Sequence, residues 1–220
     1  MTGSREAIMH SIRLGLGRGE LSADKREKLE SRLSAGEANS LRPQLAKRDL
    51  PDLFREGLER MSGQLTELAD RTHIPAEVAH YLQMKSISGR LVVAPVLQDM
   101  DWKDCKSDLH FGRAEGDETV GISQAYCGIA ETGSVVLLSA PDNPTTINFL
   151  PDHHLVVLHK ADLVSHMEDA WTHLRNDRIH WPRTVNIIAG PSRTADIEQT
   201  IQLGAHGPRW FHVLLTGIHK

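Results

Sequence analysis

Apolar and polar positions alternate along this chain in a few distinct rhythms, and each rhythm predicts an element. In Ser4–Leu16 the apolar positions Ile8, Ile12 and Leu16 form a narrow helical stripe that Gly17 ends. A stripe that narrow, on an N-terminal arm, predicts docking on a partner or neighbouring subunit more than a core. Glu20–Lys47 is highly charged with few large apolar side chains, so it reads as an exposed helix or a partly mobile linker. Pro51 then stands where a first-turn proline belongs. Phe54, Leu58, Met61, Leu65 and Leu68 follow at steps of four, three, four and three, which predicts one amphipathic helix. A second helix is expected from near Pro75 with Val78 and Leu82 inward. Arg90–Val96 reads as a short buried strand.

From Val120 the rhythm changes. VGISQAYCGIAETGSVVLLS combines a short strand-like run with a longer one at Ser134–Ser139, and prolines at 141, 144 and 151 mark corners. Alternation follows: Leu155–Leu158 as strand, Asp162–Arg175 as helix, Val185–Ala189 as strand, Thr194–Leu203 as helix and Phe211–Leu215 as strand. Near-continuous apolar strands separated by helices predict an α/β fold with a mostly parallel sheet flanked by helices. The expected organisation is an N-terminal helical arm and charged linker over residues 1–48 and an α/β domain over 49–220.

Val185–Pro208 is the stretch with most chemical content. Read as strand, Gly-Pro-Ser turn and helix closing on Gly204, it would leave free N–H groups at a helix start, where the helix dipole favours an anion. Ser192, Arg193 and Thr194 would add donors around Gly190. On spacing alone, a structural helix merely N-capped by Ser192 or Thr194 is the plainer reading. Asp196 opposes the anion: pointed into the turn, it would repel one. Two further corners qualify at the carboxyl ends of strands, where open sheets gather ligands. One is AETGS, with Glu131, Thr132 and Gly133, and the other is AHGP, with His206. Glu131 fits either a buried acid/base or carboxylate nucleophile, or a structural carboxylate accepting backbone N–H bonds. His153 and His154 read as a surface corner before a strand.

Composition narrows the classes. A net charge of −4 offers no general field for nucleic acid. No apolar run approaches the roughly 20 residues of a membrane span, and no signal-peptide core is present, so a cytoplasmic location is expected. Two cysteines, Cys105 and Cys127, are too few for a four-thiolate cluster. The 13 histidines are scattered, without a zinc motif, so no metal is assigned. Asp99, Asp101, Asp104 and Asp108 lack the spacing of a calcium loop and read as a solvated segment. No dinucleotide fingerprint, P-loop or nucleophile elbow occurs.

The segments GISQAYCGIAETGSVVLLSAP, FLPDHHLVVL, AGPSRTADIEQT and GAHGPRWFHVLL, in that order, resemble the lactate utilisation protein C family, within the wider set of lactate-utilisation (LUD) domain proteins. The resemblance covers Val120–Leu215 densely and extends more loosely to the first helix and the Phe54–Met61 helix. It implies a fold similar to ribose-5-phosphate isomerases, glucosamine-phosphate deaminases and CoA transferases. It further implies a subunit of a bacterial system that oxidises L-lactate to pyruvate. The family's partners are two other proteins that carry iron–sulfur clusters, leaving no cofactor on this chain. The expected site is a small-anion pocket formed by Glu131, Ser192, Thr194 and His206. The alternatives are a stand-alone enzyme of the sugar-phosphate isomerase or CoA-transferase type using Glu131, and a purely structural assembly module.

Overall fold

The structure is a computed structural model that describes residues 3–17, 19–34, 42–105, 108–177, 181–194, 202–204 and 206–217. The chain divides into two compact units, Met1–Asn39 and Ser40–Lys220. The first holds helices α1 (Ser4–Gly15) and α2 (Ala23–Ser34). No residue of α1 is buried, and Ile8, Ile12 and Leu16 stand exposed along it.

In the second unit, α3 (Leu50–Arg60) carries Pro51 in its first turn as expected but stops eight residues earlier than its apolar spacing suggested. Ser62 takes a left-handed φ of 65°, and the N–H groups of Ser62 and Gly63 bond back to Glu59 and Leu58. That closes the helix and turns the chain into strand β1 (Gln64–Glu67), so Leu65 continues the spacing by coincidence. Helix α4 (Ile74–Met84) follows, then β2 (Arg90–Val93), β3 (Leu109–Phe111), β4 (Glu118–Gln124), β5 (Cys127–Ile129), β6 (Ser134–Leu138) and β7 (His153–His159). After β8 (Leu163–Val164) comes α5 (Met167–Asp177), shorter than predicted because Leu163 and Val164 pair with β5. The Asp169 carboxylate reaches back to the His166 N–H at 3.0 Å and fixes the helix start there. Strands β9 (Val185–Ile188), β10 (Arg193–Thr194), β11 (Gln202–Leu203) and β12 (Trp210–Thr216) complete the chain.

Six strands form one parallel sheet in the order β1-β12-β7-β4-β2-β3. One face packs Leu155, Val157, Ile122 and Leu214 against Val78 and Leu82 of α4. The other packs Val156, Leu158, Val213 and Leu215 against Phe54 and Leu58 of α3 and against Val135 and Leu137 of β6. Each fully buried Leu or Phe in these layers contributes roughly 1.5–3 kcal/mol. Strand β6 alternates, sending Val136 and Leu138 to a third layer with Leu174 of α5. The mostly parallel α/β architecture therefore holds.

Two details differ from the sequence reading. Strand β9 does not join the parallel sheet: it pairs antiparallel with β6 in a separate four-stranded sheet, β8-β5-β6-β9. The residues at both ends of the expected helix over Thr194–Leu203 are strands, Arg193 opposite Leu203 and Thr194 opposite Gln202. The interior of that stretch lies outside the described residues.

Candidate functional site

The Gly190–Ser192 turn and the His206–Pro208 loop do meet, at the opposite edge of the sheet from the one expected. Pro208 leads into β12 at its amino end, and the Ser192 N–H bonds to the Pro208 carbonyl at 2.8 Å. The Arg209 N–H bonds in turn to Asp152, which precedes β7. The corner is thus fastened to the amino edge of the parallel sheet, because β9 belongs to the second sheet and returns the chain underneath. Without an α-helix starting at Thr194, the dipole argument for an anion no longer applies there.

What the corner encloses is a cavity of about 180 Å³. Gly190, Ser192 and His206 line it, with Asn148 and His154 as further polar walls and Phe149, Ile188 and Phe211 as apolar ones. Gly190 passes so close to α3 that a Cβ would stand 2.6 Å from the Met61 carbonyl oxygen.

His154, read from sequence as a surface corner, is fully buried. It sits in β7 between Gly121 and Phe211, edge-on to the Phe211 ring at 5.5 Å. Its Nε2 lies 2.8 Å from Ser123 Oγ, and its Nδ1 has no partner. Ser123, also fully buried, has no other side-chain partner among the described residues. If Nε2 carried the proton, both the serine O–H and Nδ1 would be left unpaired. With the serine donating to Nε2, only an Nδ1–H remains unpaired. Avoiding one buried unsatisfied group favours this tautomer by about 1–3 kcal/mol. Burial lowers the ring's pKa to about 3, so it is neutral near pH 7.

Neighbouring histidines face the other way. His153 Nδ1 lies 2.9 Å from Tyr81 Oη and His212 Nε2 lies 2.9 Å from Thr66 Oγ1, within the packed layer under α4. His212 Nδ1 is also unpartnered, but Tyr81 packs edge-on against that ring at 5.3 Å, and His212 is not among the walls of the His154 cavity. A signal for these residues existed in HHLVVLH: two histidines opening an apolar strand buried on both faces must both be buried.

The remaining predicted residues stand elsewhere. The half-buried Glu131 donates its N–H to the Ser165 carbonyl at 3.0 Å, and Thr132 Oγ1 lies 2.8 Å from Ser134 Oγ. Gly133, at φ 67°, lies against the backbone of Gly57 and Leu58 in α3. None of the three lines the His154 cavity. The Arg193 guanidinium donates to the Met61 carbonyl at 3.1 Å and to Ser62 Oγ, capping the end of α3. The Thr194 side chain and Asp196 lie outside the described residues.

At the carboxyl edge, where the fold rule points, a second cavity of about 280 Å³ opens beside Gln124, His159, Asp162 and Gly217, with Asp70 and Arg71. A smaller neighbour of about 180 Å³, bearing Asp142, shares Gln124 and Ala125 with it. Asn143 holds the end of β4 by bonding both the N–H and the carbonyl of Gln124. His159 Nδ1 accepts from the Ala161 N–H at 3.1 Å. Two aspartates share the crevice with one arginine, itself paired with Asp99 at 3.0 Å, and Asp142 borders the neighbour, so this edge disfavours an anion. Sequence reasoning missed this crevice, because its residues are isolated in sequence and only the sheet order unites them. A wider open trough of about 700 Å³ along α4, between His80 and Asp104, holds none of the predicted site residues.

Among the described residues no group of three or more His, Cys, Asp or Glu is placed to hold a metal ion, and no helix is long and apolar enough to cross a membrane.

Known proteins resemble this chain in sequence and in fold. The protein named lactate utilization protein C from Anoxybacillus flavithermus is 38% identical over 89 residues, 40% of either chain. Its namesake from Bacillus subtilis is 32% identical over 111 residues, 49% of this chain and 46% of that one. An uncharacterized protein of Escherichia coli, YkgG, is 34% identical over 110 residues, 49% of this chain and 47% of that one. In each match the chain spans about half or less of the relative's length. A crystal structure of a DUF162 family protein from Deinococcus radiodurans has the same fold, with a TM-score of 0.55 and 17% identity over 79% of this chain and all of that one. Residues 53–216, from the first turn of α3 to the last residue of β12, match the LUD domain, and the chain belongs to the LUD domain family.

Proposed function

We propose that this chain serves lactate utilisation as the subunit without redox centres in a cytoplasmic, L-lactate-oxidising system. Two iron–sulfur proteins are its partners and carry the electrons, and this chain binds no cofactor of its own. Its own contribution is a small-anion site in the amino-edge cavity. The observation that carries the reading is the LUD match across 53–216, together with the likeness to proteins named lactate utilization protein C. Two features of the chain support it. Its two cysteines are both buried and too few for a four-thiolate cluster. Among the described residues no carboxylate borders the amino-edge cavity, and Ser192 and His206 stand at it as polar groups.

The test is co-expression of the tagged chain with cysteine-rich iron–sulfur proteins from the same genome. The expected result is a complex that reduces a dye with L-lactate, while the isolated chain does not. Lactate oxidation by the isolated chain, or full activity of the partners in its absence, would overturn the proposal.

A further inference from the structure

Three observations on the amino-edge cavity narrow what it can hold. First, His154 is among the residues that border the cavity, fully buried, with one ring nitrogen taken by Ser123 and the other unpartnered. Second, both described arginines at the corner are engaged: Arg193 donates to Met61 and Ser62, and Arg209 pairs with Asp152 at 3.6 Å. Third, the volume of about 180 Å³ equals roughly six waters' share of liquid volume.

Resting on the proposed anion site, we infer that this cavity takes a short-chain monocarboxylate, and that the Nδ1–H of His154, oriented by Ser123, is the donor that holds its carboxylate. The tautomer imposed by Ser123 makes the buried nitrogen a donor, so its ligand must present an acceptor. A single negative charge suits a neutral N–H supplemented by Ser192, His206 and Asn148 at the walls. A dianion such as phosphate would find Arg193 and Arg209 already engaged with Met61, Ser62 and Asp152, and burying its second charge without a cation is costly. Phe149, Ile188 and Phe211 give the short apolar tail its surface. His154 acts here as a binding residue and Ser123, which does not line the cavity, as a positioning residue.

The experiment is heteronuclear NMR of the imidazole nitrogens of the full chain, titrated separately with propionate, L-lactate and inorganic phosphate. The free protein is expected to show His154 protonated at Nδ1. Propionate and L-lactate should shift that nitrogen saturably, and phosphate should not. Ser123→Ala, which releases the tautomer, should weaken propionate binding by about tenfold, the order of one hydrogen bond. His154→Phe should abolish binding in a chain that still melts cooperatively. An Nε2–H tautomer, an unmoved His154 signal with both carboxylates, or an equal response to phosphate would overturn the inference. Co-purification with the iron–sulfur partners reports independently. An unmoved His154 within an intact complex refutes this inference alone, and a lost complex with a responsive His154 refutes only the subunit role.

Discussion

The two edges of the parallel sheet solve the problem of polar residues at strand ends in opposite ways. At the amino edge, His153, His154 and His212 are drawn into the interior, where burial lowers their pKa values and keeps them neutral. At the carboxyl edge, Asp70, Asp162 and Gln124 face an open crevice, and Asp142 borders the adjoining cavity. Although Asp162 is exposed as a residue, partial burial of its carboxylate raises its pKa. Uncharged donors can hold a monoanion, whereas an edge lined by carboxylates repels one. On the proposed reading, charge rather than position in the fold selects the binding edge.

Acid separates the edges most strongly. An unfolded histidine titrates near 6.5, while His154 and His212 have native values of about 3 and about 4. Between those values the unfolded chain binds protons that the native one excludes. The stability these rings contribute is therefore whole above pH 6.5 and falls as the pH drops toward the native values. At pH 5 the two together should have cost about 4 kcal/mol relative to pH 7. Urea melts across that range check it, and a flat profile would mean that these rings are not held neutral.

Next in size is Gly133→Ala. A Cβ there would lie 2.0 Å from the Leu58 backbone nitrogen, at a φ of 67° that favours glycine. Backbone cannot yield as a side chain can, so a loss of about 3 kcal/mol or more is expected, read as a fall in Tm. Because Gly190 rests on the same helix end at Met61, the amino-edge cavity should be disturbed more than the carboxyl crevice.

Gly217→Ala probes the other edge. Its φ is 82°, and its Cβ would stand 2.6 Å from His159 Nε2, the end of a side chain that can move. The expected cost is about 1–2 kcal/mol, with carboxylate binding at the amino edge unchanged by calorimetry. The smallest effect is Asp162→Asn, which removes a carboxylate that folding penalises. Solvent screening limits the gain to a few tenths of a kcal/mol at most. A loss of stability would mean that the charge has a favourable partner.

Much of this was legible in the sequence. Helix α4 and the buried strands β4, β6 and β7 follow from apolar spacing alone, because layers covered on both faces leave near-continuous apolar runs. The stop at Arg60 was hidden because Leu65 and Leu68 keep helical spacing beyond Ser62, whose left-handed backbone no side-chain pattern announces. The Arg193–Leu203 pairing was hidden for a related reason: Thr194–Leu203 carries helical apolar spacing, but its two ends pair with each other. Sequence order also could not show that β9 leaves the parallel sheet, and that departure sets the edge on which Ser192 and His206 lie. Gly190, Ser192 and His206 come together as a corner, while Glu131, Thr132 and Gly133 seat the second sheet near α3. His154 escaped notice because its partner Ser123 lies 31 residues away in sequence and meets it only where β4 pairs with β7.

The most direct measurement of the central claim is a map of backbone amide shifts in the full chain during titration with L-lactate. The shifts should gather at Ser192, Gly207 and Phe211, with Gln124, Ala125 and Gly217 unmoved. Saturable shifts confined to Gln124, Ala125 and Gly217 would place the ligand at the carboxyl edge and contradict the account.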